Sequence, residues 1–155
     1  MAPLRRGVVI FGASGAGKTR AMWELLKRVM TVSTEVFCPG KNSFDHRLAA
    51  QYRNESAEEW IAGICDTDIV AFDDITKMRM TERVESELFG IIDHRVNHHL
   101  PIIVTVQGDS TSISKAIGEE KSAPIIRRLR EFCDPVSVHQ VTTVCDPSQR
   151  PTQPS

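Results

Sequence analysis

Short apolar runs alternate along this chain with segments of helical periodicity. Runs rich in Val, Ile and Phe predict buried strands, and apolar residues spaced at i, i+3, i+4 and i+7 predict amphipathic helices. The strands are predicted at 7–11, 35–38, 69–72, 102–106 and 136–138, with residue 141 as the furthest extension of the last. The helices are predicted from 19, at 44–52, at 57–64, from 81, at 113–117 and at 125–132. Such alternation is typical of an α/β fold, here a three-layer sandwich with a central parallel sheet of five strands.

Polar residues follow three of these strands directly. They are the glycine-rich stretch after residue 11, the pair Asp73-Asp74 after 69–72, and Gln107 after 102–106. Ligands on parallel sheets bind at the carboxyl ends of the strands. If the three strands are neighbours, all three polar groups face one crevice.

The composition narrows the class of protein without identifying it. With 155 residues the chain suits one domain, predicted as a core at 1–145 and a disordered tail at 146–155 with three prolines and no apolar side chain. A net charge of −1 and short apolar runs give no support to a membrane role. The scattered cysteines favour reduced thiols and a cytoplasmic location over a disulfide framework.

The stretch GASGAGKT at 12–19 fits the pattern GxxxxGK[ST] in full. Its glycines let backbone N–H groups surround an anion, and the following helix directs its N-terminus at the same point. Lys18 can reach the β- and γ-phosphates of ATP, and the Thr19 hydroxyl can bind Mg²⁺. We predict a nucleotide-binding loop, with a glycine turn of chance composition as the alternative. The predicted loop residues are Gly12, Ala13, Ser14, Gly15, Ala16, Gly17, Lys18, Thr19 and Arg20.

The carboxylates at the end of IVAFDD are the candidate metal and base residues. An Asp that ends a strand beside the loop can hold the Mg²⁺ shell, so Asp73 is predicted to do so together with Thr19. Its neighbour Asp74 can polarise an attacking water and is the candidate catalytic base. The alternative is an Asx turn that closes the strand. The nearby Asp66 and Asp68 precede the strand and are predicted to be solvated.

Gln107 is the candidate polar residue after the next strand. Its amide can orient the attacking water or contact the γ-phosphate, although an ordinary polar turn is a strong competing interpretation. Thr105 points to the same face of that strand and is a weaker candidate.

Two clusters of basic residues remain. Three arginines at 127, 128 and 130 share a predicted helix. Four interpretations of this cluster remain: exposure to solvent, pairing with Glu131, contact with nucleic acid, or contact with the nucleotide of a neighbouring subunit. His94 and His98 share a helix face at i, i+4, but no carboxylate or cysteine completes a metal site, so exposed histidines are favoured.

The order of these motifs is similar to that of the DnaC/IstB-like AAA+ ATPases, the bacterial and phage helicase loaders and transposition helper ATPases. LFGIIDHRVNHHLPIIVTVQ at 88–107 resembles their segment between acidic motif and sensor, IVAFDDI at 69–75 resembles their Walker B motif, and APIIRRLREFCDPVSV at 123–138 resembles their closing helix and strand. The resemblance covers nearly all of 7–138, and the later segments carry it because the phosphate loop is not specific to one family.

The resemblance implies a role for each matching residue. Lys18 and Thr19 would bind ATP and Mg²⁺, and Asp73 and Asp74 would form the Walker B pair. Arg128, directly before the leucine of the RRL segment, would be the catalytic arginine that acts on a neighbouring subunit. Gln107 stands where the family usually has Asn, with the same donor and acceptor groups one methylene further out. Arg95 matches a recurring arginine of less clear role.

The resemblance also implies a homo-oligomer assembled head-to-tail, acting on single-stranded DNA beside a replicative helicase or transposase. We expect the chain to depart from the family at both ends, with no helicase-gripping region before the first strand and no helical lid after Val138. The expected protein is therefore a minimal version of phage or mobile-element origin, or one component that works beside other subunits, active in DNA replication or transposition.

Three functions follow from these observations. The first is an ATPase whose site is completed by Arg128 of a neighbour. The second is a nucleotide-controlled assembly module with little hydrolysis, which the short Asp74 side chain and Gln107 leave open. The third is a small P-loop kinase, which is disfavoured because 107–122 contains Lys115 and Lys121 but no arginine for a water-excluding lid.

Overall fold

A computed structural model describes residues 6–31, 34–40, 44–109, 111–112, 115 and 119–139. Five parallel strands form one sheet in this part of the chain, in the order β2-β3-β4-β1-β5. The strands are β1 (Gly7–Gly12), β2 (Val36–Phe37), β3 (Ile69–Phe72), β4 (Ile102–Gln107) and β5 (Cys133–Ser137). The helices are α1 (Lys18–Val29), α2 (Phe44–Arg53), α3 (Ala57–Asp66), α4 (Glu82–Asn97) and α5 (Glu119–Phe132).

Helices cover both faces of the sheet, which gives the predicted three layers. On one face α1 packs Met22 and Leu26 against Ile10 and Ile103. The other face is covered by α2, α3, α4 and α5, whose buried side chains join those of the strands in the larger core cluster. Both faces of β3 and most of β4 are buried, which explains why these strands are continuous apolar runs rather than alternating ones.

The observed elements follow the predicted ones closely where a local signal marks the boundary. Helix α4 begins after Thr81, whose hydroxyl accepts a hydrogen bond from the Val84 N–H at 3.3 Å and so caps the helix. Two strands and one helix differ: β2 is only Val36–Phe37, β5 begins at Cys133 rather than at 136, and α5 begins at Glu119 rather than at 125. The chain passes from α5 into β5 without a loop, so Asp134 and Pro135 lie inside the strand. The helix predicted at 113–117 and the tail at 146–155 lie largely or wholly outside the described residues.

Arg95 lies fully buried in α4, and its contacts give it a structural role that the sequence did not reveal. Its guanidinium donates to the carbonyl oxygens of Thr67 at 2.7 Å, Asp68 at 2.9 Å and Pro101 at 2.7 Å. Longer bonds reach the carbonyls of Ile64 and Cys65 at the end of α3. Arg95 therefore holds the end of α3 and the approaches to β3 and β4 together, and burial lowers the pKa of its guanidinium to about 10.

No helix in the described ranges is long and apolar enough to cross a membrane.

Candidate functional site

The strand order brings the three predicted polar groups to one edge of the sheet. Strand β4 lies between β1 and β3, and Gly12 at the end of β1 is level with Gln107 at the end of β4. The phosphate loop, the Asp pair and Gln107 therefore surround one pocket of about 470 Å³. It is lined by Ser14, Gly15, Gly17, Lys18, Thr19, Arg20, Trp23, Asp73, Asp74, Lys77 and Gln107.

The loop has the backbone shape that an anion cradle needs. Gly15 and Gly17 have φ of 75° and 94°, a left-handed conformation that side-chain-bearing residues rarely adopt. Gly12 is required for a different reason, because a Cβ there would lie 2.5 Å from the backbone oxygen of Val138. The N-terminus of α1 begins at Lys18, so its unpaired N–H groups point at the same space.

Lys18 is already positioned within this cradle. It is buried, and its ammonium donates a hydrogen bond of 2.7 Å to the carbonyl oxygen of Ala13 across the loop. This contact places a positive charge inside the ring of backbone donors. The loop and its lysine thus form a concave site of positive potential that fits the phosphates of a nucleotide.

Thr19 and the Asp pair are joined by a hydrogen-bond network that crosses three elements. The Thr19 hydroxyl lies 3.0 and 3.1 Å from the two carboxylate oxygens of Asp73. The Thr105 hydroxyl donates to Asp73 Oδ1 at 2.8 Å and accepts from the Asp74 N–H at 2.7 Å. Both aspartates are buried, and the network fixes the Asp73 carboxylate and the Asp74 backbone at the end of β3.

These residues fit a magnesium ion. Hydroxyl and carboxylate oxygens are the hard ligands that Mg²⁺ takes, and it usually binds one or two carboxylates together with substrate phosphates. Thr19 Oγ1 and Asp73 Oδ1 are adjacent and sit at the mouth of the phosphate loop.

Asp74 is engaged by its own chain. It has a left-handed backbone (φ 56°), which Asp tolerates better than most residues, and it begins the 3₁₀ turn Ile75–Lys77. Its carboxylate pairs with the Lys77 ammonium at 3.0 Å and accepts from the Thr76 hydroxyl at 2.7 Å. The candidate base Asp74 is therefore held in an ion pair with Lys77.

Arg128 lies on α5, away from the pocket of its own chain. Its Nε is 2.7 Å from Asp93 Oδ1 on α4, and its Nη1 is 3.5 Å from Glu131 Oε2. The Asp93 contact is an ion pair without the alignment of a hydrogen bond. Arg127 pairs with Glu131 at 2.8 Å, while Arg130 lines a separate apolar cavity beside β5.

The remaining candidates have ordinary surroundings. The rings of His94 and His98 stack at 4.1 Å, and His94 Nε2 lies 3.9 Å from Asp66, which is exposed like Asp68. No group of three His, Cys, Asp or Glu in the described ranges is placed to hold a metal. Burial raises the pKa of the thiols of Cys38 and Cys65, and that of Cys133 to about 12.

Sequence reasoning missed or underrated three contributors to the site. Thr105 was a secondary candidate, yet it joins the Asp73 carboxylate to the backbone N–H of Asp74. Lys77 was not predicted to contact the Asp pair, although its spacing of three residues from Asp74 allowed an ion pair. Trp23 was overlooked: its place one helical turn after Thr19 was the available signal.

The fold and the site together define a P-loop nucleotide-binding ATPase of the AAA+ class. A family model described as the bacterial DnaA ATPase domain matches residues 5–119. The match covers most of the chain, so the chain belongs to this family of ATPase domains. No curated protein sequence gives a significant match.

Solved structures of replication proteins share the fold. AMPPCP-bound DnaA from Aquifex aeolicus is 17% identical with a TM-score of 0.71, and the alignment covers 89% of this chain and 42% of that one. A DnaC helicase loader is 18% identical with a TM-score of 0.69, covering 86% of this chain and 78% of that one. DnaI is 20% identical with a TM-score of 0.66, covering 86% and 73%. This chain therefore spans less than half of the matched DnaA and most of the matched loaders. The expected AAA+ class is confirmed, and the helicase loaders are among its structural relatives.

Proposed function

We propose that this chain is a Mg²⁺-dependent ATPase of the helicase-loader type, which assembles head-to-tail and acts in DNA replication or transposition. The observation that carries the proposal is the network from Thr19 through Asp73 and Thr105 to Asp74, fixed beside a complete phosphate loop. It supports the proposal because it holds the candidate Mg²⁺ ligand Asp73 and the backbone of the candidate base Asp74 beside that loop.

Each residue has a defined task in this proposal. Lys18 turns from the Ala13 carbonyl to the β- and γ-phosphates, and Thr19 and Asp73 hold Mg²⁺, which neutralises phosphate charge when bound. Asp74 accepts the proton of the attacking water, and Gln107 orients that water with its amide. Lys77 must release its contact with Asp74 for this step, because its ammonium occupies a carboxylate oxygen that would otherwise accept the proton.

A second copy supplies the remaining charge. Arg128 does not line the pocket of its own chain in the described residues, so the proposal assigns it to the pocket of a neighbour. An arginine delivered in this way raises turnover about a thousandfold or more. The proposal therefore requires a shared site between two subunits.

The relatives suggest where such an ATPase works. One matched DnaA structure is described as bound to single-stranded DNA, and the matched DnaC is described as a helicase loader. We extend both properties to this chain as proposals, with single-stranded DNA and a replicative helicase or transposase as partners and a phage or mobile element as source.

Hydrolysis measured across a protein concentration series tests the proposal. Specific activity should rise with concentration, increase further with single-stranded DNA, and disappear with Lys18→Ala or without Mg²⁺. Arg128→Ala should lower turnover about a thousandfold while leaving ATP binding intact, whereas Arg130→Ala, which removes an exposed arginine from the same helix, is the matched control. Concentration-independent activity, or equal losses in both arginine variants, would contradict the shared site.

The second candidate is a nucleotide-controlled assembly module with little hydrolysis. The ion pair between Lys77 and Asp74 favours this candidate, because the carboxylate of the candidate base is already occupied by the lysine in this structure. Tight ATP binding and nucleotide-dependent assembly without turnover, in the presence of DNA as well, would support this candidate over the ATPase.

A further inference from the structure

We propose that an apolar groove beside Arg128 receives Trp23 of a second copy of this chain, and that this contact forms the head-to-tail interface. The inference rests on the proposed shared site, which it deepens by naming the surfaces that meet. The groove is defined here as the depression between α4 and α5 with Phe89 and Pro124 at its centre.

The groove is a continuous feature of the surface. A cavity of about 380 Å³ is lined by Phe89, Ala123, Pro124, Arg127 and Arg128. A second cavity of about 290 Å³ shares Phe89 and Pro124 and extends along α4 past Ser86, Glu82 and Glu85. The floor is apolar, one end carries arginines and the other carries glutamates. Such a patch with a polar rim is typical of a protein interaction site.

Trp23 is the matching group on the other half of the shared site. It is 45% exposed, an unusual state for so large an apolar side chain, and it lines the nucleotide pocket. Met30 and Val136 are the other exposed large apolar side chains among the described residues, and neither lines that pocket. A neighbour whose Arg128 enters the pocket must bring its groove to the rim where Trp23 lies.

The two surfaces cannot meet within one chain. Trp23 belongs to α1, which packs on one face of the sheet, whereas α4 and α5 pack on the other. Two different patches that complement each other form a heterologous interface, and repetition of that interface gives a ring or a helical filament. The occupant of the groove is thus a second copy related head-to-tail.

Charge agrees with this orientation. One end of the groove carries Arg127 and Arg128, and the pocket beside Trp23 contains the buried carboxyl groups of Asp73 and Asp74. With Trp23 in the groove, Arg128 is brought toward those carboxyl groups and toward the phosphates of the nucleotide. This pairing of opposite charges favours one register of the contact.

Two single variants test the contact from its two sides. Trp23→Ala removes the anchor, and Ala123→Glu places a charge in the groove at an exposed helical position that tolerates Glu. Each should raise the protein concentration needed for half-maximal assembly with AMPPCP and Mg²⁺ by about 30-fold, the effect of losing an interface hot spot. Met30→Ala, which removes a comparably exposed apolar side chain elsewhere on the chain, should leave assembly unchanged.

Mixing the two variants decides the orientation. The Trp23→Ala chain keeps an intact groove and the Ala123→Glu chain keeps its tryptophan, so a mixture should form dimers and recover hydrolysis. The active pocket then belongs to the Ala123→Glu chain. Adding Lys18→Ala to that chain should abolish the recovered activity, while adding it to the Trp23→Ala chain should not.

The outcomes separate this inference from the proposed function. If activity depends on concentration and on Arg128 but both interface variants assemble normally, the groove contact is wrong and the shared site stands. If the wild-type protein does not assemble at high concentration with AMPPCP, both are wrong. Normal self-assembly of both variants with loss of binding to a helicase would assign the groove to that partner instead and overturn the inference.

Discussion

The Thr105 hydroxyl donates to Asp73 Oδ1 at 2.8 Å and thereby joins the middle of β4 to the end of β3. The same oxygen accepts the Asp74 N–H at 2.7 Å. One buried hydroxyl therefore satisfies the backbone of one acidic residue and orients the carboxylate of the other. The two aspartates differ in their contacts, because the Asp73 carboxylate faces Thr19 while the Asp74 carboxylate faces Lys77.

Thr105→Val keeps the shape of the side chain and removes this hydroxyl. The buried Asp74 N–H loses its acceptor, so the free energy of unfolding should fall by about 1–3 kcal/mol. Turnover should fall about tenfold, because one orienting hydrogen bond is lost. Denaturant unfolding and ATP hydrolysis measure the two effects. Thr105→Ser retains the hydroxyl and is the control; wild-type behaviour of Thr105→Val would show that the network does not position the carboxylates.

Replacing Arg95, which lies away from the nucleotide pocket, should lower the free energy of unfolding by a large amount. Arg95→Met fills similar space but leaves several buried carbonyl oxygens without their charged donor, so the free energy of unfolding should fall by at least about 3 kcal/mol. Arg95→Lys should recover only part of the loss, since an ammonium cannot reproduce the planar fork. Equilibrium unfolding in urea distinguishes the three proteins. If Arg95→Met were as stable as the wild type, the hydrogen bonds from Arg95 to these carbonyl oxygens would not stabilise the fold.

The helices and strands of this fold could be predicted because the spacing of apolar residues indicates which side of each element is buried. Burial of that side against the rest of the core is what stabilises the element. The strand at 69–72 and the helix start at Thr81 agree with the structure for this reason. Long-range partners could not be predicted, because a single sequence does not record which groups meet. Arg95 bonds to carbonyls 27 to 31 residues away, as well as to Pro101, and Thr105 reaches a carboxylate 32 residues away.

The site was more predictable than most of these contacts. A phosphate loop has a fixed pattern, and the rule that ligands bind at the carboxyl ends of parallel strands placed the Asp pair and Gln107 beside it. The pairing of Asp74 with Lys77 was not foreseen, because it depends on the left-handed backbone of Asp74 and the turn that follows.

Gly90 offers a stabilising substitution. It lies within α4, where glycine costs about 0.5–1 kcal/mol relative to alanine, and a Cβ built there meets no atom within 4 Å. Gly90→Ala should therefore raise the free energy of unfolding by about that amount and leave hydrolysis unchanged. The contrasting variant is Gly12→Ala, whose Cβ would lie 2.5 Å from the Val138 backbone oxygen and should weaken both stability and ATP binding. Thermal unfolding with and without nucleotide separates these effects, and a destabilised Gly90→Ala protein would refute the first.

Ionisation of the buried Cys133 thiol should make the folded protein less stable at alkaline pH. Burial raises the pKa of its thiol to about 12 in the folded protein, compared with about 8.5 for an exposed cysteine. Between these values the unfolded chain loses a proton that the folded chain keeps, so deprotonation favours unfolding as pH rises. The free energy of unfolding should fall between about pH 8.5 and 12 with a contribution from this thiol of up to about 1.4 kcal/mol per pH unit. Cys133→Ala lacks the group, so its unfolding curve should be flatter over the same range when both proteins are titrated with denaturant. Parallel curves would show that the thiol ionises as readily in the folded protein as in the unfolded chain.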